Sequence, residues 1–389
     1  MTAFGYTILG FGSGVVGGTP EAIPAGSAVK YLGDSVPDDI NNLLFDDDDP
    51  NKCVMVYRDN STNRAMAVVG SIDGTTITMG TPAQASAVEK STYYVSSCGI
   101  EDGKFLVTYQ RSDSHYLFCR IGTVSGTSIS FGTEQGVNSY YMYWSESGWD
   151  FRGEAKVAIC WRDSTTGAAD NDHRVICGTV SGTTVSFGSA VVMNDSIYSI
   201  FQTLEWDPNT DDTFTITWSH NGINSYGKVC TVSGTTVTAG TDVTLGSGFV
   251  PSNWSNGMAY DPFTANKLVV VYDDINGTDE GKCRIGTVSA PRGLAWGSEI
   301  VFNDSDTSAS VISFDPTNQN SLVVVYESYD GDDYVGVRTG TLDLAGDSIT
   351  FGDEIKLNDA NPNKSLRVRF VPSAWEQSGK FLVLYTDGD

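Results

Sequence analysis

Histidine, cysteine and carboxylate are the side chains with which this chain could do chemistry. Its three histidines, His115, His173 and His220, each fall near a presumed loop, and none stands beside a second. A metal centre draws several ligands at set spacing, so they read as lone surface residues, and neither a metal nor another cofactor is expected. The seven cysteines include no Cys-x-x-Cys pair. Six of them, Cys53, Cys119, Cys160, Cys177, Cys230 and Cys283, lie in strand-like segments, and Cys98 is near one. They read as free buried thiols, which points to folding in a reducing cytoplasm. Acidic runs occur at Asp46 to Asp49 and at Asp330, Asp332 and Asp333, but no calcium loop of the usual Asp-x-Asp-x-Asp-Gly form follows. Solvated turns explain them. Gly-x-Ser-x-Gly, phosphate-loop and Ser-x-Asp-x-Gly-x-x-Trp patterns are missing. The chain is therefore expected not to be an enzyme. The catalytic alternative is a polysaccharide-degrading enzyme. It requires two carboxylates about 5 to 10 Å apart in one cleft, and a repetitive acidic chain offers too many candidates to choose among.

Aromatic side chains in the connections carry a different chemistry. Tyr140, Tyr141, Tyr143 and Trp144 cluster, Tyr93 and Tyr94 occupy a comparable place earlier, and Trp254 a later one. Flat rings near Asn and Asp suit sugar binding, since rings stack on C–H faces while polar groups fix hydroxyls. The alternative is that these residues begin innermost strands and are buried.

Composition narrows the partners. Forty-eight acidic residues against 23 basic give a net charge of −25. This disfavours nucleic acid and anionic membranes, which want a basic surface. The sequence contains no apolar run of 18 residues for a membrane span and no basic segment of a signal peptide at its start.

The elements that must position these residues are legible from a repeat. Gly122-Thr-Val-Ser-Gly-Thr-Ser-Ile-Ser-Phe-Gly132 reads as a β-hairpin turning at Ser125-Gly126. Related stretches begin at 70, 178, about 230, 286 and 340, a step of 52 to 56 residues. Apolar strands end in Tyr57, Tyr109, Trp161, Trp218, Tyr272, Tyr326 and Tyr385. Because they are apolar at successive positions, they should be covered on both faces. Upstream of most of them lies an aromatic residue followed by Asp (Phe45, Trp149, Trp206, Tyr260 and Phe314), three times as Asp-Pro, which marks a turn. Four strands in about 54 residues, joined as a meander, make a propeller blade. The fold class is all-β, a seven-bladed β-propeller of four-stranded antiparallel blades, its ring closed by an N-terminal strand. Residues 25–389 form the propeller, with residues 27–33 as the outer strand of the last blade. Residues 1–24 have two readings. Phe4 to Phe11 supplies that blade's third strand, or the segment is an apolar arm that docks into a partner.

With "FDP…LVVVY" strands between "GTVSGTSISFG" units, the chain resembles the propeller-type repeats of bacteriophage tail and fibre proteins. "FGYTILGFGSG" resembles a virion-attachment peptide. The resemblance implies a structural protein of the virion, assembled in the host cytoplasm, with other virion proteins as partners, and no site transfers residue by residue. A receptor-binding tail fibre is the first expectation, head decoration the second and a lectin-like module the third. Phe4, Tyr6, Ile8, Leu9 and Phe11 are the anchor candidates. The varied loops after each second strand and the blade-to-blade connections share one face. Host contact, with a glycan or a protein, is expected there through Tyr140, Tyr141, Trp144, His173, His220 and Trp254. Self-association is a further open reading.

Overall fold

The computed structural model describes residues 3–10, 37–46 and 49–387 apart from 50, 74–75, 101, 151, 153–154, 165–171, 195–198, 221–223, 248–249, 252–256, 275–277, 330–332, 346, 358–365 and 371–379. Among these residues every regular element is a strand. Blade 3 shows the pattern. Tyr141–Trp149, Lys156–Ser164, His173–Ser181 and Thr184–Phe187 pair antiparallel in chain order. Beyond Gly188 the chain returns as Val191–Asn194, which pairs again with the third strand. Blades 1, 2 and 4 repeat this order. Between blades 5 and 6 a single strand, Ile300–Phe314, closes the outer edge of one and opens the inner edge of the next. The described strands thus fall into six antiparallel sheets, the ten-stranded one running through that strand.

Three local devices fix the blade. At the hairpin turns Gly126, Gly182 and Gly234 have φ of 61–62°, the left-handed conformation a tight turn needs. After the first strands of blades 3 to 6 the Asp of the aromatic-Asp pair is buried and caps its own turn. The backbone N–H groups of Arg152, Asn209, Phe263 and Thr317 donate to Oδ1 of Asp150, Asp207, Asp261 and Asp315 at 2.8–3.0 Å. The same turns hold the hairpins through backbone bonds such as Val180 N to Ala155 O and Val232 N to Asp212 O, both 2.8 Å. First-to-second turns and hairpin turns therefore share one end of the ring.

The second strands are covered on both faces, as their unbroken apolar character requires. In blade 1 Cys53, Met55 and Tyr57 pack with Leu382 and Leu384 of the last blade. The alternate residues Val54 and Val56 pack with Phe105, Val107 and Tyr109 of blade 2. The first of these cores also joins blade 7 to blade 1, which closes the ring. The glycine of the Phe-Gly mark serves contact between blades. A Cβ on Gly132 would lie 2.6 Å from Thr183 Cβ in the next blade's hairpin, and one on Gly188 would lie 2.5 Å from Thr235 O.

Among the described residues the last blade comprises Arg367–Phe370, Lys380–Asp387 and Ala3–Gly10. All eight residues of Ala3–Gly10 pair with the C-terminal strand, from Ala3 with Asp387 to Gly10 with Lys380. Phe4, Tyr6, Ile8 and Leu9 thus belong to a blade strand rather than to a free arm, a correction to the anchor reading, because their backbone is held in the ladder. Phe11 and the outer strand expected at 27–33 lie outside the described residues. All seven cysteines are free and buried.

Candidate functional site

Side chains with functional character gather at the two ends of the ring. At the end where the first strands begin, aromatic residues of blades 2 and 3 form a surface. The pairing register slips between Tyr93 and Ser96 and between Tyr143 and Ser145. Tyr94 and Trp144 sit at these bulges with φ of 49° and 44°, a left-handed conformation that costs a bulky residue on the order of 1 kcal/mol and re-aims its side chain. As a result Tyr94 contacts both Tyr143 (ring centroids 5.8 Å apart) and Trp144 (5.6 Å) across the blade boundary. The Arg162 guanidinium lies over both of the latter rings, at 4.6 and 4.2 Å. These rings are half-buried, and three more in the same region are open to solvent: Tyr93 (39% exposed), whose ring lies 6.5 Å from that of Tyr94, Tyr140 (52%) and Tyr141 (38%). Tyr141 stacks on His115 at 4.9 Å with 16° between the planes, and Arg58 lies over Tyr93 at 5.0 Å.

The structure thus brings Tyr140, Tyr141 and Trp144 into one region, with Tyr93, His115 and Arg162 added to the expected set. His220 ends the second strand of blade 4 and is half-buried. His173 is corrected. It is 0% exposed and its ring lies 5.1 Å from that of Trp218, so it cannot touch a receptor. Burial, aided by the Lys228 charge, pushes its imidazole down to about 3, which keeps it neutral. Asp172 and Arg174 on either side give the sequence a loop-like look that conceals a core position. Trp254 lies outside the described residues, as do Asp47, Asp48, Asp330 and Asp332 of the acidic runs.

At the opposite end lies a cavity of about 420 Å³ on the ring axis, lined by first strands of every blade and opening among Pro208, Pro262 and Pro316 of the first-to-second turns. One pair of charged groups lines it, and a second lies behind its lining. Nearer the opening, Glu205 of blade 4 faces Arg369 of blade 7 with 3.9 Å between Oε1 and Nη1. Outside the lining, Ser96 donates to Glu146 at 3.1 Å, with Arg367 close enough to act on the same carboxylate. Removal from water raises both carboxyls, Glu146 to about 7, against the opposing pull of the arginines. Sequence reasoning passed over these residues. A signal was present nonetheless, because when the first strands are aligned on their last residue, Glu205 and Arg369 hold the position that is Leu44, Gly99, Gly148, Ala259 or Ser313 in other blades.

No protein-family model matches the chain, and no curated protein matches it. Solved structures do. A protein of Lactobacillus plantarum superposes with a TM-score of 0.60 at 12% identity over 92% of this chain and 97% of that one. A candidate 6-phosphogluconolactonase of Bacteroides fragilis gives 0.56 at 10% identity over 92% and 96%. An ulvan lyase of polysaccharide lyase family PL25 gives 0.53 at 10% identity over 90% and 94%. None of the three is described as a virion protein. The expectation that the chain is not an enzyme is corrected by the last two, since proteins named for catalysis share this architecture almost end to end. Identity this low carries the fold and not the activity. What the topology and these likenesses establish together is the architecture: the chain is an all-β protein with the β-propeller fold.

Proposed function

We propose that this protein recognises a host-surface glycan on behalf of a phage particle, through the aromatic surface of blades 2 and 3. The observation that carries the reading is the set of three exposed rings, Tyr93, Tyr140 and Tyr141, the first packed against Tyr94 and the last stacked on His115. Solvent-facing tyrosines on a rigid framework present flat apolar faces at low entropic cost, and their hydroxyls remain free for sugar oxygens. The rings sit at the end of the ring of blades that carries the varied loops, where a scaffold can change ligand without changing its core. The virion setting rests on the resemblance of the repeats to phage fibre sequences.

The test is adsorption of purified protein to host cells and to an array of host glycans, comparing the wild type with a Tyr140→Ala/Tyr141→Ala variant. Loss of two stacking rings at ~0.5–1.5 kcal/mol each should weaken binding roughly 5- to 140-fold with an unchanged melting temperature. Equal binding by the variant refutes the surface. If the wild type binds neither host cells nor glycans, the glycan reading falls and decoration of the particle replaces it.

A further inference from the structure

The cavity on the ring axis plays no part in the proposed contact with the host, and it has the features of a ligand site of its own. Its volume of about 420 Å³ falls in the range of small-molecule pockets and would hold a monosaccharide. The penultimate residue of the first strand is small in four blades, Gly99, Gly148, Ala259 and Ser313, and Leu44 in blade 1, and all five line the cavity. Two blades break this rule with charge, and those two charges, Glu205 and Arg369, face each other across the axis.

Their pairing is incomplete. A guanidinium offers five N–H donors, and a full Arg–carboxylate bond has N···O near 2.7–2.9 Å. Here the nearest approach is 3.9 Å, and the Arg369 side chain remains 28% exposed. Arg367, one layer deeper, differs in both respects: it is 4% exposed and donates to the Leu366 carbonyl. The inner pair thus belongs to the packing, whereas Arg369 directs unsatisfied donors into an open, water-accessible space. We infer that this cavity binds a small organic monocarboxylate of the hexuronate size class, with Arg369 as its charged contact and the proline-rimmed opening as its entry.

A planar fork of donors fits one carboxylate edge-on. The small residues around it leave room for a ring-sized body, and Leu204 and Pro208 give that body apolar walls. The net charge of −25 repels anions at long range, but at physiological salt that field is screened within about 8 Å, so the local guanidinium decides. Glu205 couples binding to pH, and Glu146, whose carboxyl is pushed up to about 7 and feels the Glu205 charge, titrates in the same window. A bound carboxylate competes with it for Arg369 and brings a second negative charge close, so the complex favours the neutral form of Glu205 and binding takes up a proton. Burial already raises this carboxyl. Affinity should therefore rise as pH falls, for as long as the ligand stays ionised.

The experiment is isothermal titration of the full chain at pH 5.5 and 7.5 with D-glucuronate, D-galacturonate and benzoate, and with D-glucuronamide and D-glucose as uncharged controls. At least one carboxylate should bind with one-to-one stoichiometry while the uncharged sugars do not. Its affinity should be higher at pH 5.5. Arg369→Lys should weaken it at least 10-fold, and Glu205→Gln should tighten it about 3-fold or more and reduce the pH dependence, the remainder being that of Glu146. Melting temperatures identify any variant that misfolds, and because the two substitutions act in opposite directions, a general loss of structure cannot imitate the pattern. The inference is overturned if no carboxylate binds, if glucuronamide binds as well as glucuronate, or if a folded Arg369→Lys protein retains wild-type affinity.

Discussion

Asp273 ends the second strand of blade 5, 4% exposed. Its Oδ1 accepts a 2.7 Å bond from the Ser310 hydroxyl of the neighbouring blade. Burial, with Asp306 nearby, pushes its carboxyl from the usual 3.8 up to about 7 against that bond. The sign of the effect follows from proton binding. Between pH 4 and 7 the folded chain keeps a proton on Asp273 that the unfolded chain releases, so this residue costs stability as pH rises across that window and adds no further cost above it. The gap between 3.8 and about 7 corresponds to ~4 kcal/mol at ~1.36 kcal/mol per tenfold change in acid strength. Asn at this position accepts the same Ser310 bond and carries no charge at any pH. Asp273→Asn should therefore be more stable than the wild type by about 2–4 kcal/mol at pH 8, with the difference shrinking to near zero at pH 4. Urea unfolding of both proteins across this range measures it, and subtraction cancels the repulsion common to both acidic chains. A difference independent of pH, or a variant less stable at pH 8, would refute the assignment of a buried, protonated carboxyl.

Other perturbations test the frame. Gly132→Ala places a methyl against Thr183 of the next blade and should cost about 1–3 kcal/mol in urea unfolding. Gly126→Ala meets open space and has only its φ of 62° to strain, so about 1–2 kcal/mol is expected there. With all seven cysteines buried, and Cys53, Cys119, Cys177 and Cys230 pushed up to about 12 by burial, the native protein should not react with an aromatic disulfide reagent, whereas all seven thiols should react in denaturant. Removing residues 1–10 bares one edge of Lys380–Asp387 and should produce concentration-dependent aggregation in light scattering; a monomer with an unchanged melting temperature would contradict the pairing.

What could be read from the sequence depended on whether a feature recurred. Leu268-Val-Val-Val-Tyr272 and Leu322-Val-Val-Val-Tyr326 announce strands covered on both sides, and both lie fully buried between blades. The fourth strand was legible only in part. Its second half pairs as expected, yet it breaks from the first at glycines such as Gly188, where the next blade's hairpin presses in, and contact between blades leaves no local pattern. The candidate sites depend on departures from the repeat. Tyr140 and Tyr141 stood out as aromatic excess in a connection, and both are exposed. Glu205 and Arg369 are single residues in blades 4 and 7, and only closure of the ring brings them face to face. His173 misled because its neighbours are charged while its own ring packs on Trp218.

Pairing of Ala3 with Asp387 also sets a timetable for the chain. At ~5–20 residues per second of synthesis, the first strand emerges roughly 20 to 75 s before its partner. Closing so long a loop in an otherwise unstructured chain would cost about 5 kcal/mol by the (3/2)RT ln n rule. Once the intervening blades have curved round the axis, the two ends already lie near each other and most of that cost has been met. The clasp should therefore form last, and until it does, the uncharged stretch from Phe4 to Leu9 waits without its partner strand, the part of the newborn protein with the longest opportunity to meet a chaperone or a second copy of itself.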